Sequence, residues 1–336
     1  MSAPLVSICI PTFNRAKLLK RTLRSVLAQN YDHLEIVIAD NSDNSISREM
    51  ISALNDQRIR YVKNETNIGF INNINKVASL ATGKYINVLM DDDLLKPQAI
   101  ERMVAALEKN PSAGLAWSPM ALIDDDDRRI FPRFYVFRKM QYRFRFQVGD
   151  GLISRAEILK TFLTRDYPCC VPSGILYRAE CFQKLGLFDV KSDFAIDVEF
   201  AMRIAAHYDF YYIDEVLSSF RCTAASETTN LHKKGFNVSA FYYVTRKTLA
   251  DRDAINLFPL QERPRLIRDS IFFCSCRALL NGLAGIRARS PKLIWETVKT
   301  IFREDKYFLN KLRLPLFVLR EIFVSVFPKS QPPARE

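Results

Sequence analysis

Short, mostly apolar runs alternate with segments of helical periodicity over the first hundred residues. Runs of this length, bounded by turn residues, are typical of buried strands, and four of them occupy Leu5–Ile10, Leu34–Ala39, Ile59–Val62 and Tyr85–Met90. After each run the sequence predicts a helix: over residues 18–27, near 45–55, over 70–81 and from about Pro97. Four strand–helix units in succession predict an α/β fold with a parallel sheet and right-handed crossovers.

The later sequence predicts a further strand and then mostly helices. Val171–Tyr177 has the pattern of a strand, a helix follows over 178–185, and another begins near Asp197. From about residue 236 the apolar positions recur at helical spacing, with one helix predicted over 261–285. We therefore expect two parts, residues 1–235 and a helical region, residues 236–336.

Polar residues end three of the predicted strands. In a parallel sheet such strand ends meet along one edge, where open α/β sheets bind ligands. The three groups are Pro11, Thr12 and Asn14; Asp40 and Asn41; and Asp91, Asp92 and Asp93. Together they could hold a base, a ribose and a metal-bound diphosphate. The sequence has no Gly-x-Gly-x-x-Gly after the first strand and no Walker-type Gly-Lys-Ser/Thr, so a dinucleotide fold or a P-loop is not expected.

Three adjacent carboxylates, Asp91–Asp93, follow the fourth strand. They repel each other, and a hard cation such as Mg²⁺ or Mn²⁺, sharing its coordination with substrate phosphates, would compensate them. The alternative is a solvated acidic turn that caps the helix beginning near Pro97.

The chain carries a formal net charge of +12, which favours anionic partners: nucleic acid, phosphorylated ligands or an anionic membrane surface. Arginines and aromatics interleave over 128–146, either as an edge hairpin or as a contact surface. No nucleic-acid-binding motif is recognisable, so nucleic acid is not an expected partner.

A basic amphipathic stripe near the C-terminus suits a membrane interface, the catalytic domain or a second subunit as its partner. Its apolar members are Leu312, Leu316, Leu319, Phe323 and Phe327. No apolar run is long enough to span a bilayer. The odd count of 7 cysteines and the lack of a visible targeting segment predict a reducing cytoplasm.

Six motifs in order resemble the family 2 glycosyltransferases of GT-A fold, particularly bacterial enzymes that build surface polysaccharides such as O-antigen. The resemblance covers about residues 4–225. The motifs are Val6–Asn14, Ile38–Ser42, Asn67–Phe70, Asp91–Pro97, Gly186–Asp189 and Asp197–Phe200. Residues 1–235 would then be the GT-A catalytic domain, with a nucleotide-binding half over about 1–110 and an acceptor-binding half over about 111–235.

The resemblance implies a role for each matching residue. The acidic triplet corresponds to the family's DxD-type motif, with Asp91 and Asp92 at the nucleotide-sugar and Asp92 and Asp93 on a divalent metal, Mn²⁺ or Mg²⁺. Asp197 falls at the position of the catalytic base; the alternative is a helix N-cap. The remaining nucleotide-site positions are Pro11, Thr12 and Asn14, Asp40 at the base, and Asn67 and Gly69 in the adjoining loop.

The chain departs from the family pattern at four positions, one of which is Ile74, where the family often has an Arg. Met90 replaces the first carboxylate of the common Asp-x-Asp-Asp, Ile196 replaces the Glu before the catalytic Asp, and Thr223 stands where a metal-binding His is often found. The departures motivate an alternative, a non-catalytic membrane-associated scaffold on a decayed transferase fold. The favoured interpretation is an inverting, metal-dependent glycosyltransferase, peripheral on the cytoplasmic membrane face, acting on a glycan or polyprenyl-diphosphate-linked acceptor; a homo-oligomer is possible.

Overall fold

The computed structural model describes residues 3–130, 149–169, 171–222, 238–287 and 291–305. The predicted Arg/aromatic surface lies mostly outside these residues, and the stripe from Leu312 to Phe327 lies wholly outside them. The strands are β1 (Val6–Thr12), β2 (Leu34–Asp40), β3 (Ile59–Lys63), β4 (Tyr85–Val88), β5 (Leu94–Leu95), β6 (Ala113–Trp117), β7 (Met120–Ile123), β8 (Gly151–Ile153), β9 (Ile175–Arg178), β10 (Asp209–Tyr212) and β11 (Ser218–Arg221).

Helices follow most of these strands. They are α1 (Ala16–Leu27), α2 (Ile46–Ser52), α3 (Phe70–Ser79), α4 (Ala99–Lys109), α5 (Arg155–Thr164), α6 (Ala179–Leu185), α7 (Ile196–Ala205), α8 (Ser239–Ala250), α9 (Arg252–Ile255), α10 (Arg263–Arg287) and α11 (Pro291–Glu304). The helices after residue 238 confirm the predicted helical C-terminal extension.

Eight strands form one large sheet in the order β3-β2-β1-β4-β9-β6-β10-β8. The first four run parallel, as the repeated strand–helix units predict. β9 is antiparallel to both of its neighbours, β4 and β6. A smaller sheet, β5-β11-β7, begins directly after the acidic triplet.

The large sheet is covered on both faces, which explains why its strands are almost continuously apolar. Along β1, Ile8 and Ile10 face a core shared with α1, α2 and α4, whereas Cys9 faces a core shared with α3, α5 and α7. The alternation of side chains along a strand thus divides one apolar run between two cores. The two cores hold the sheet from both faces and so support the strand ends at which the site is predicted.

Pro11 occupies a central strand without costing a hydrogen bond. Residues of odd number in β1 face β4, since the Cys9 carbonyl accepts from the Leu89 amide at 2.9 Å. β4 pairs with β1 only as far as Cys9 and Val88, so no partner strand is present beside Pro11. A proline is therefore tolerated where the sheet opens towards the site.

The strand predicted over Val171–Tyr177 is shorter than expected. Pro172–Gly174 forms a 3₁₀ turn, and β9 begins only at Ile175. The proline at the first turn position lacks the amide that a strand would need and suits a helical turn instead. The turn matters because it places Ser173 beside the acidic triplet.

Gly83→Ala should destabilise the fold by about 1–3 kcal/mol, the usual range for overpacking a filled site. Gly83 links α3 to β4, and a Cβ there would lie 2.7 Å from the Leu5 carbonyl oxygen and 2.8 Å from the Ser7 amide nitrogen. Both are backbone atoms of the neighbouring strand region and cannot rotate away. Urea denaturation followed by circular dichroism measures the loss.

Gly174→Ala is the matched comparison for Gly83→Ala. Its added Cβ would meet the flexible Met120 side chain at 3.1 Å, so the loss should be smaller. If the two variants are equally stable, contact of the added Cβ with backbone atoms does not explain the destabilisation by Gly83→Ala.

Candidate active site

The ends of β1 and β4 bring two of the predicted nucleotide-site residues into direct contact. The Thr12 hydroxyl donates a hydrogen bond to Asp91 Oδ2 at 2.7 Å. Arg15, which precedes α1, directs Nη1 at Asp92 Oδ2 at 3.0 Å and at Asp91 Oδ1 at 3.4 Å. One guanidinium therefore bridges two of the three adjacent carboxylates.

Asp93 points into the protein. Its Oδ2 accepts a hydrogen bond from the Ser173 hydroxyl at 2.6 Å, and its Oδ1 accepts one from the Arg221 amide at 3.0 Å. The Arg221 side chain is fully buried and also donates to the Asp92 carbonyl at 2.8 Å. Ser173 and Arg221 thus fix the backbone of the triplet from two other parts of the chain.

Burial dominates the electrostatics of the triplet. It raises the pKa of Asp91, and the neighbouring Asp92 charge raises it further, against the effect of Arg15. Burial also raises the pKa values of Asp92 and Asp93. All three residues are at most 7% exposed, so the alternative of a solvated acidic turn is wrong. An additional positive charge at this position would be stabilised by carboxylates that Arg15 and Arg221 compensate only in part.

The donor atoms suit a divalent ion only together with a ligand. Within the described ranges, no group of three or more His, Cys, Asp and Glu side chains is arranged to hold a metal. Asp91 and Asp92 offer the hard oxygen ligands that Mg²⁺ or Mn²⁺ prefers, and such ions commonly complete their coordination with substrate phosphates and water. Both Asp93 oxygens are already hydrogen-bonded, so Asp92 fits the predicted metal role better than Asp93.

Asp40, the predicted base contact, lies at the end of β2 opposite Thr12. Its Oδ1 accepts from the Ser42 amide at 2.7 Å, and its Oδ2 accepts from the Tyr61 hydroxyl at 2.6 Å. The carboxylate is fully buried. These bonds orient Asp40 before any ligand arrives.

The loop predicted to adjoin the base is shaped by Asn67 and Gly69. Asn67 Oδ1 accepts a hydrogen bond from the Gly69 amide at 2.9 Å, and Gly69 adopts φ +86°, which glycine tolerates best. Asn14 has φ 54°, and its amide donates to the Ser42 hydroxyl at 2.8 Å. Asn14 and Ser42 thus connect the turns after β1 and β2.

Asp197 lies in the first turn of α7. The N-cap of this helix is Ala195, so the alternative that Asp197 is the N-cap is wrong. Its carboxylate accepts a hydrogen bond from the Val198 amide at 2.8 Å. Burial raises the pKa of Asp197 to about 7, which suits a general base working near neutral pH. Among the described residues, no hydrogen bond or ion pair joins Asp197 to the triplet.

Arg15, Ser173 and Arg221 did not emerge from the sequence as site residues. Arg15 carries a weak signal, because it directly follows the turn that ends the first strand. Ser173 and Arg221 reach Asp93 from distant parts of the chain, and no local pattern predicts those contacts.

Comparison with solved structures identifies the fold of this chain. Staphylococcus aureus TarS 1–349, solved in complex with UDP-GlcNAc, superposes with a TM-score of 0.59 at 15% identity, covering 91% of this chain and 92% of the 1–349 chain. The mannosyltransferase PcManGT from Pyrobaculum calidifontis, solved with GDP-Man and Mn²⁺, gives 0.53 at 16% identity, covering 98% and 89%. These structures confirm the GT-A-type fold.

Sequence comparison identifies relatives. An uncharacterized glycosyltransferase of Methanocaldococcus jannaschii is 30% identical over 74% of this chain and 80% of its own length. The putative colanic acid biosynthesis glycosyl transferase WcaA of Escherichia coli K12 is 38% identical over 30% of this chain and 37% of its own. The family model for glycosyl transferase family 2 matches residues 7–186, more than half of the chain, and its matched region includes the acidic triplet. The chain belongs to glycosyl transferase family 2.

Proposed function

We propose that the chain transfers a sugar from a nucleotide-diphosphate donor to a hydroxyl of a glycan or lipid-linked oligosaccharide, with inversion at the anomeric carbon. The product would belong to a bacterial surface polysaccharide of O-antigen type. The observation that carries the proposal is the presence of two acidic sites in one family 2 chain. One is the triplet at the sheet edge, and the other is Asp197, whose raised pKa suits proton transfer.

The residues of the chain divide the reaction between them. The acceptor oxygen forms a bond to the anomeric carbon while the bond to the diphosphate oxygen breaks. Asp197 takes the proton of the attacking hydroxyl, and the nucleoside diphosphate leaves with the bonding electron pair. A single base opposite the leaving group yields inversion, by the geometry that separates inverting from retaining glycosidases.

The triplet and Arg15 would hold the donor. Thr12 and Asp91 are already hydrogen-bonded to each other at the edge, and Arg15 supplies a cation beside them. A bound Mn²⁺ or Mg²⁺ at Asp92 would stabilise the negative charge that develops on the diphosphate. PcManGT was solved with GDP-Man and Mn²⁺, which supports a donor and a metal of this kind.

The basic C-terminal region, residues 236–336, is proposed as a peripheral contact to the inner face of the cell membrane. That position would bring the site to an acceptor carried on a polyprenyl diphosphate. Nothing in the described part of the chain has the combination of helix length and apolarity needed to cross a bilayer.

Calorimetric titration with UDP, dTDP, GDP and CDP, each with and without Mn²⁺, tests the proposal. One nucleotide should bind, more tightly with the metal. The corresponding nucleotide sugar should then release nucleoside diphosphate slowly with water as acceptor. If no nucleotide binds under either condition, the donor-site assignment is wrong and the scaffold alternative takes its place.

A further inference from the structure

One lysine of the C-terminal helical region holds the segment that carries Asp197. Lys247, on α8, directs Nζ at Asp189 Oδ2 at 2.6 Å and at Glu199 Oε1 at 2.7 Å. Asp189 precedes Asp197 in the chain, and Glu199 follows it within the same first turn of α7. The two ends of the segment 189–199 therefore share one ammonium group.

Other residues of α8 reinforce this attachment. The Tyr243 hydroxyl donates to Asp189 Oδ2 at 2.9 Å, and the Phe241 ring packs edge-on against Phe194 with centroids 5.1 Å apart. Burial acts to raise the pKa of Asp189, but hydrogen bonds led by that from Lys247 lower it to about 2. Asp189 is therefore a carboxylate at any pH at which the enzyme would work.

Glu199 connects the lysine to the turn before the segment. It is only 2% exposed, and Arg203 pairs with it through Nη2 at 2.8 Å. The same guanidinium donates to the Leu187 carbonyl at 2.8 Å. Within the described residues, Lys247 is the one cation in an ion pair with Asp189, whereas Arg203 pairs with Glu199.

The segment needs external support because its backbone is strained. Asp193 adopts φ 52° and ψ −131° inside the 3₁₀ stretch Val190–Ala195. A residue other than glycine keeps such a conformation only where its surroundings over-determine it. The contacts from α8 on both sides of Asp193 supply that support.

We propose that Lys247 is a positioning residue: by joining Asp189 to Glu199 it fixes the backbone on both sides of Asp197 and so sets where the base stands. Through Lys247, the C-terminal helical region then takes part in positioning the base. The inference rests on the proposed function of Asp197. Displacements of about 1 Å in a reacting group can cost about 100-fold in rate, so holding the backbone around Asp197 in place matters for turnover.

The test compares Lys247→Ala, Lys247→Arg and Arg246→Ala in the full chain. Arg246 is the neighbouring residue on α8, and it pairs with Glu304 instead of the catalytic domain. The assay is release of nucleoside diphosphate from UDP-glucose, UDP-GlcNAc, GDP-mannose and dTDP-rhamnose, with water as acceptor.

Lys247→Ala should lower kcat about 10-fold or more and leave the nucleotide Kd within about 2-fold, because the donor site is separate. Lys247→Arg should restore most of kcat, and Arg246→Ala should behave as wild type.

The pH profile supplies a readout that a loss of stability alone would not move. Burial and hydrogen bonds to the Val198 and Asp197 amides are the influences on the Asp197 pKa, and no charged side chain among the described residues contributes. Asp197 is half-buried, and freeing the segment exposes its carboxyl further, so the acidic limb of kcat/KM should shift to lower pH in Lys247→Ala. An unshifted limb with an unchanged kcat would overturn the proposal.

Hydrogen exchange separates failure of this inference from failure of the proposed function. In Lys247→Ala the amides of residues 190–198 should exchange faster, while those of β1 and β2 keep their protection. If wild-type protein releases no nucleoside diphosphate but this local change occurs, the transferase proposal fails and the fixation by Lys247 stands. If exchange in 190–198 equals that of wild type, the fixation is refuted whatever the activity.

Discussion

Asp197→Asn is expected to lower kcat about 100- to 10,000-fold, the usual contribution of a positioned general base. Asparagine keeps the size of the side chain and can still accept from the Val198 amide, but it cannot take the proton of the acceptor hydroxyl. Nucleotide affinity should be unchanged, since Asp197 makes no hydrogen bond or ion pair with the triplet in the described structure. Initial rates and calorimetry on the same preparation measure both quantities.

Asp269→Asn is the matched control for Asp197→Asn. Asp269 is exposed on α10, where it pairs with Arg265 at 3.5 Å, and the same chemical change there should leave the rate unaltered. If Asp197→Asn retains more than about a tenth of the wild-type kcat, Asp197 is not the base.

The raised pKa of Asp197 predicts how rate depends on pH. A general base works in its ionised form, so kcat/KM, which reports the pKa of the free enzyme, should rise with pH through about 7 and level off above it. The residual activity of Asp197→Asn should lack this rise with pH.

The contribution of Asp197 to folding stability should fall as pH rises, whereas the rate rises. The folded-state pKa of Asp197, about 7, lies above the ordinary value of 3.8, so the folded protein binds this proton more strongly than the unfolded chain. The stabilisation from the bound proton is complete below pH 3.8 and is lost as pH rises through about 7. The neutral side chain of Asp197→Asn avoids that loss, so the variant should have a higher Tm than wild type at pH 8 and little advantage near pH 4.

Asp92→Asn is expected to abolish the enhancement of nucleotide binding by Mn²⁺ and to lower kcat about 100- to 1,000-fold, the cost of removing one electrostatic stabiliser of the leaving group. Asp92 offers the carboxylate that Arg15 approaches at 3.0 Å, at the position where a diphosphate-bound metal would be stabilised. Calorimetry with and without Mn²⁺ reads the first effect directly.

Asp93→Asn provides the comparison because it makes the same change one residue away. Both Asp93 oxygens accept hydrogen bonds from the protein, so its replacement should lower the Tm and leave a measurable Mn²⁺ enhancement. The reverse pattern, with the enhancement lost in Asp93→Asn and kept in Asp92→Asn, would reassign the metal ligand.

The sequence predicted the first four strands of the sheet well because its information is local. Each of these strands is a short apolar run, and three of the runs end in the polar residues that the structure places along one edge. Thr12 and Asp91 were expected near each other for this reason, and they are hydrogen-bonded. The family motifs add residue roles that periodicity alone does not contain.

Contacts between distant segments escaped prediction. Nothing around Ser173 or Arg221 indicates that both reach Asp93, and the strand expected from Val171 begins only at Ile175 because a proline turn precedes it. The role of Lys247 depends on how α8 packs on a strained loop, which amphipathic periodicity does not reveal. Such positions are set by tertiary packing, in which the pairing partner is far away in the chain.

The antiparallel strand β9 has a consequence for the order of folding. β1 to β4 pair through successive strand–helix units, whereas β9 joins Tyr85 to Arg178 and so requires closure of a long loop. Since non-local pairings are slow to form, we expect the first four strands to assemble before β9 inserts. Ser173 reaches Asp93 only after that insertion, so an intermediate would have the parallel strands in place and an acidic edge still lacking its support.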